Sequence, residues 1–61
     1  MRKFRVADFY ENVMGEIIGD TNDYNEAVRI KNQRIEDTYG KCDVWIYAFV
    51  GNSLMPIKSN Y

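Results

Sequence analysis

The longest apolar run in the chain is Asp43-Val44-Trp45-Ile46-Tyr47-Ala48-Phe49-Val50. It is too short for an ordinary helix and is filled with β-branched and aromatic residues, which predicts a central strand. Alternation puts Val44, Ile46, Ala48 and Val50 on one face and Trp45, Tyr47 and Phe49 on the other. Both faces are apolar, so both need cover. The rest of the chain supplies one good helix, from about residue 24 to residue 36. Tyr24, Ala27, Val28 and Ile35 form its apolar stripe, with Ile30 at the flank. Lys31 falls within the stripe, where its stem can pack while its amine reaches water. Asp23 with Glu26 three residues on predicts a capping box. Glu36 and Asp37 predict the helix stop, since acids are disfavoured at a helix C-terminus. Gly40 predicts a left-handed exit.

Ahead of the helix, residues 3–9 read as a strand with Phe4 and Val6 on one face and Arg5, Ala7 and Phe9 on the other. Asn12 and Gly15 predict a turn, and residues 16–19 a short second strand. A short helix over residues 9–14 is the competing reading. After the central strand, Gly51-Asn52 is a two-residue hairpin signal. It folds residues 53–58 back, pairing Phe49 with Leu54 and Tyr47 with Pro56. Proline cannot donate to a ladder, so this fourth strand belongs at an edge.

The order β-β-α-β-(β) predicts an α+β fold, with an antiparallel sheet in the order 2-1-3-4 and the helix on one face. The aliphatic face of the central strand, with Phe4 and Val6, is expected beneath the helix. Trp45, Tyr47 and Phe49, with Phe9 and Arg5 beside them, are then on the helix-free side, with Trp45 stacked on Arg5 across the strand pair. The reverse placement, with the aromatics in the core, stays open. Either way one apolar face is left uncovered.

Length sharpens this imbalance. Sixty-one residues form one domain, and a domain of that size buries only roughly 60% of its unfolded surface. A single cysteine, Cys42, and no histidine exclude an intrachain disulfide and leave too few ligands for a His/Cys zinc site. Self-association remains among the supports that small domains use. No apolar run approaches the ~20 residues of a membrane span. Met1-Arg2-Lys3-Phe4-Arg5 is followed by acids rather than an apolar core, so no signal peptide is expected and the expected location is cytoplasmic.

The net charge is −1, but the charges are segregated. Arg2, Lys3 and Arg5 open the chain. Residues 6–28 hold no lysine or arginine, while Asp8, Glu11, Glu16, Asp20, Asp23 and Glu26 all fall there. No catalytic constellation is visible. There is no histidine base, Ser53 and Ser59 have no activating partner, and residues 15–19 lack a phosphate-binding pattern. Asp20, Asp23 and Glu26 do not match a calcium loop. No enzymatic activity, metal or cofactor is expected.

Three surfaces remain. The aromatic row offers interface anchors for a second copy or a target protein. The six acids could form a negative patch that engages a basic groove. Arg2, Lys3 and Arg5 beside the aromatics could stack single-stranded bases, although a pI near 5.2 argues against a nucleic-acid binder. A very short, Asn/Ile/Tyr/Asp-rich single domain without site chemistry resembles the accessory proteins of phages and mobile elements of AT-rich hosts. That resemblance implies a stoichiometric inhibitor of a host protein, such as a defence nuclease or a DNA-repair enzyme. The expectation is a non-enzymatic protein-binding module. The alternatives are a small single-stranded nucleic-acid-binding or regulatory protein and a structural homodimer subunit.

Overall fold

The alternating run forms the strand it predicts. In a computed structural model that describes residues 3–11 and 13–58, β1 (Phe4–Tyr10), β2 (Val13–Thr21), α1 (Tyr24–Asp37), β3 (Asp43–Val50) and β4 (Ser53–Lys58) follow in chain order. The four strands form one antiparallel sheet in the order β2-β1-β3-β4. The fold is the predicted α+β arrangement, and a hairpin occupies the segment for which a short helix competed.

The second strand differs most from expectation. It has nine residues against the seven of β1, and two register shifts, between Val6 and Ala7 and between Ala7 and Phe9, absorb the excess. Each is a bulge, in which two residues on one strand oppose one on the other. The turn is correspondingly tighter. Glu11 carries a positive φ of 49°, Asn12 lies outside the described residues, and β2 has begun by Val13. Gly15 is therefore a strand residue. A Cβ there would lie 3.3 Å from the Asp8 carbonyl oxygen, so the glycine permits a close approach rather than a turn. Gly51, at φ 59°, opens the second hairpin, whose register pairs Phe49 with Leu54 and Tyr47 with Pro56 as expected.

Helix α1 lies over the aliphatic side of β3. Val6, Ala27, Val44 and Ile46 form the buried core, and Phe4, Ile18, Val28, Ile30, Ile35 and Cys42 pack around it. Phe4 meets Tyr24 edge-on, with ring centroids 5.6 Å apart. Lys31 is buried in the stripe. Its stem packs as expected, but its ammonium group ends on Asn32 Oδ1 at 3.1 Å. The helix crosses β1, β2 and β3 without reaching β4. Met55, which pairs with Ala48 on the helix side, is left 52% exposed.

Both helix ends differ in detail from the sequence reading. Asp23 is the N-cap and accepts from the Asn25 amide at 3.1 Å, but the reciprocal half of the capping box is missing. Glu26 turns outward to pair with Arg29, and Thr21 Oγ1 accepts from the Asp23 amide instead, at 3.2 Å. At the other end the Gly40 amide donates to Ile35 O (2.8 Å) and the Tyr39 amide to Glu36 O (3.1 Å). This is a Schellman closure whose left-handed position is normally glycine. Tyr39 occupies it at φ 55°, followed by Gly40 at φ 74°.

Two predictions concern the helix ends. Asp23→Ala removes the cap and is expected to cost about 0.5–2 kcal/mol in a urea denaturation series. Tyr39→Gly relieves a left-handed side chain that is almost wholly exposed. It is expected to raise stability by about 0.5–1 kcal/mol, because the left-handed penalty of ~1–2 kcal/mol outweighs the entropy of the new glycine. An unchanged or lower urea midpoint would show that the exit is not strained.

Candidate binding surfaces

The strand register builds the helix-free face row by row. Arg5 pairs with Asp20 on β2 and Tyr47 on β3, and Tyr47 pairs in turn with Pro56 on β4. Ala7 lies between Ile17 and Trp45, and Phe9 between Met14 and Asp43. The five predicted partner-binding residues, Arg5, Phe9, Trp45, Tyr47 and Phe49, thus share one face, the one without a helix.

They do not stand open as a bare aromatic row. Phe9 and Trp45 pack against each other, with centroids 5.2 Å apart and planes tilted by 39°. Arg5 lies over the ring of Phe49, 5.0 Å from its centroid, rather than over Trp45. Register leaves both rings one row from Arg5, on either side of Tyr47; Trp45 packs on Phe9 instead, and Asp20 holds the guanidinium where it lies over Phe49. Arg5 is also clamped by Asp20 in a two-pronged pair, Nε–Oδ1 2.8 Å and Nη2–Oδ2 2.9 Å. That hydrogen bond, opposed in part by desolvation, holds the guanidinium above its usual pKa.

The layer shields its own centre. Ala7 is fully buried and Tyr47 is 5% exposed, although no helix lies on this side. Around them Phe49 is 37% and Ile17 50% exposed. The Tyr47 hydroxyl is buried with no hydrogen-bond partner among the described residues, and burial pushes the phenol above its usual pKa. A buried hydroxyl without a partner costs about 1–3 kcal/mol.

The predicted acidic residues separate into two groups, because β2 runs back along β1. Asp8, Glu11 and Glu16 gather at the end of the sheet where β1 turns into β2. Asp20, Asp23 and Glu26 lie at the opposite end, where the helix begins. Most are engaged. Arg34 reaches from α1 to Asp8 (Nη2–Oδ2 2.8 Å, Nε–Oδ1 3.2 Å) and more distantly to Glu16 (3.5 Å). Asp20 holds Arg5, Asp23 caps the helix, and the Glu26 carboxyl is held below its usual pKa by Arg29. Beside the first group a cleft of about 520 Å³ is lined by Phe9, Tyr10, Glu11, Lys41, half-buried Cys42 and Asp43, among others.

The third predicted surface changes too. Arg2 lies outside the described residues, and Arg5 is committed to Asp20 and Phe49. Among the described residues no cluster of three or more histidine, cysteine or acidic side chains could hold a metal ion, and no helix is long and apolar enough to cross a membrane. Comparison with protein-family models, curated proteins and solved structures finds no match.

The orphan hydroxyl predicts a pH response. A phenol whose folded pKa lies above its unfolded value of ~10 binds its proton more tightly in the folded state. Its contribution to stability is complete below pH ~10 and is lost as pH rises through the folded pKa. Tyr47→Phe is therefore expected to hold or raise stability at pH 7, by up to about 1–3 kcal/mol, and to flatten the alkaline loss of stability above pH ~10. Urea melts of parent and variant across that range read both effects. A destabilised variant at pH 7 would mean that the hydroxyl has a partner.

Proposed function

We propose that this chain is a non-enzymatic protein-binding module, of the kind that acts as a stoichiometric inhibitor of a host protein, and that it binds through the helix-free sheet face. The observation that carries the reading is the state of that face. Large aromatic side chains are packed into an ordered layer around Tyr47, with no helix above them and a buried hydroxyl at the centre that has no hydrogen-bond partner among the described residues. Interface anchors are typically aromatic or arginine side chains already held in place before the partner arrives. Here Phe9 holds Trp45, and Asp20 holds the Arg5 that lies over Phe49.

The same geometry weighs against the nucleic-acid alternative. Arg5, the cation over the aromatic layer, is neutralised by Asp20, so a phosphate would have to displace that pair, and among the described residues only Lys3 at the end of the face is left there as an exposed cation. The acidic groups at the two ends take the role of rim charges, which set orientation and on-rate more than affinity.

The reading is tested by affinity capture from a bacterial lysate with immobilised parent, Trp45→Ser, Phe49→Glu and the helix-side control Met55→Glu. The expected outcome is a protein retained near one-to-one by parent and control, retained at least tenfold less by the face variants, and insensitive to moderate salt. Equal retention by all four baits would exclude the face. Retention that is lost steeply with salt and removed by nuclease would favour the nucleic-acid reading.

A further inference from the structure

The helix-free face is bounded by two edges that resist strand addition. β2 carries two bulges. β4 has Pro56 within it and a register shift that leaves Ile57 as the extra residue. Bulges and proline are devices by which edge strands avoid pairing with another chain. Association of this domain therefore falls to the face rather than to the edges.

The charges of that face have a definite polarity. Lys3 continues the alternation of Arg5, Ala7 and Phe9, and already bonds both neighbouring strands, its amide donating to Thr21 O and its carbonyl accepting from the Phe49 amide. It puts an exposed cation at one end of the face. Asp43, paired with Phe9, puts an exposed anion at the other. Between them the Arg5–Asp20 pair is internally neutral, and the rows between are apolar, with Phe9, Ile17, Trp45, Tyr47 and Phe49 among their largest side chains. A surface with a cation at one end, an anion at the other and an apolar middle is complementary to itself. When a second copy is laid on it with strands reversed, Lys3 of each copy meets Asp43 of the other, and the aromatic centres meet each other.

Size agrees with this occupant. The molecule measures 33 × 24 × 18 Å. Its broad side offers a footprint of roughly 600–800 Å², close to the ~800 Å² per partner of a standard interface. One dimer contact would therefore use the whole face.

We propose that the resting occupant of the helix-free face is a second copy of this chain, stacked face to face about a twofold axis that sets Lys3 against Asp43, so that the free protein is a dimer which a target must displace. This rests on the binding face proposed above, and it adds the occupant and a competition between self-association and target binding.

The experiment is sedimentation equilibrium over a concentration series extending to tens of micromolar, with circular dichroism to confirm folding. The proteins compared are the parent, Phe49→Glu, Lys3→Glu, Asp43→Lys and the double variant Lys3→Glu/Asp43→Lys. The expected results are a dimeric parent, association roughly 30-fold weaker for Phe49→Glu, the size typical of an anchor, and roughly tenfold weaker for each single charge reversal, which sets two like-charge contacts across the twofold. The double variant should recover the parent's association, because a reversed pair is complementary again. A monomeric parent throughout the series would overturn the dimer. It would leave the target-binding face standing, since that is read separately by capture of another protein. A dimeric parent whose double variant stays as weak as the singles would overturn the arrangement about Lys3 and Asp43. The charge variants alter exposed side chains only, so they decide the matter even if Phe49→Glu does not fold.

Discussion

A four-stranded sheet has two faces, and the described residues supply one helix to cover them. Nearly every other feature follows from that shortfall. β3 carries apolar side chains on both sides, as strands buried on both faces do in larger proteins, yet only its aliphatic side gains a helix. The helix is also too narrow to reach β4. The core proper is consequently small. Val6, Val44 and Ile46 are the largest side chains fully removed from solvent, and at about 1.5–3 kcal/mol each they leave a domain of this length with little reserve. The aromatic face responds by packing its own side chains over Ala7 and Tyr47. That shields part of the apolar area without another layer, but it strands one hydroxyl.

Two arginine–aspartate pairs complement the core. Arg5–Asp20 joins β1 to β2 on the helix-free face near one end, and Arg34–Asp8 joins α1 to β1 on the helix face near the other. Both are two-pronged and partly buried, the geometry in which such pairs contribute most. They also explain why an acidic window without cations of its own does not repel itself. Its partners come from outside the window, Arg5 from before it and Arg29 and Arg34 from after it. Of the three pairs, Arg5–Asp20 ties the two strands of the β1–β2 hairpin, Arg29–Glu26 is local to the helix, and Arg34–Asp8 joins segments distant in the chain.

Much of this architecture was legible in the residues. The bounds of β3 and β4, the pairing of Phe49 with Leu54 and Tyr47 with Pro56, the sheet order and the face beneath the helix all follow from alternation, one hairpin signal and the handedness of the crossover. What escaped reading has specific causes. Gly15 and Gly19 look like strand breakers, yet both lie within β2, and Gly15 admits the close approach of the Asp8 backbone. Glycine thus extended β2 where it was expected to end it. Glu26 has a cap position and an arginine three residues later, and the exposed ion pair prevailed over the capping box. The acids look contiguous because they are close in sequence, but a strand reversal between Glu11 and Glu16 carries the later ones to the far end of the sheet. The stacking of Arg5 depended on which neighbour Asp20 left within reach, which no single-strand pattern encodes.

The same limits decide how the site is to be understood. The described residues bury Tyr47, leave Trp45 half-buried and leave Phe49 exposed, more apolar area than an ordinary solvated strand carries. Were the face only a surface, Thr, Lys or Glu at these alternate positions would keep the strand and remove both the exposed apolar area and the orphan hydroxyl. A phenylalanine at position 47 would fill the same space with nothing unsatisfied. A tyrosine there is costly in the isolated domain. It becomes favourable once a partner's polar group can approach after a small shift of the surrounding rings, since a buried hydrogen bond gained on binding replaces a penalty already present before it. On the proposed reading, the cost in the free state and the gain in the bound state belong to the same atom, and Tyr47, the most buried of the aromatics, is the residue through which stability and binding would trade against each other.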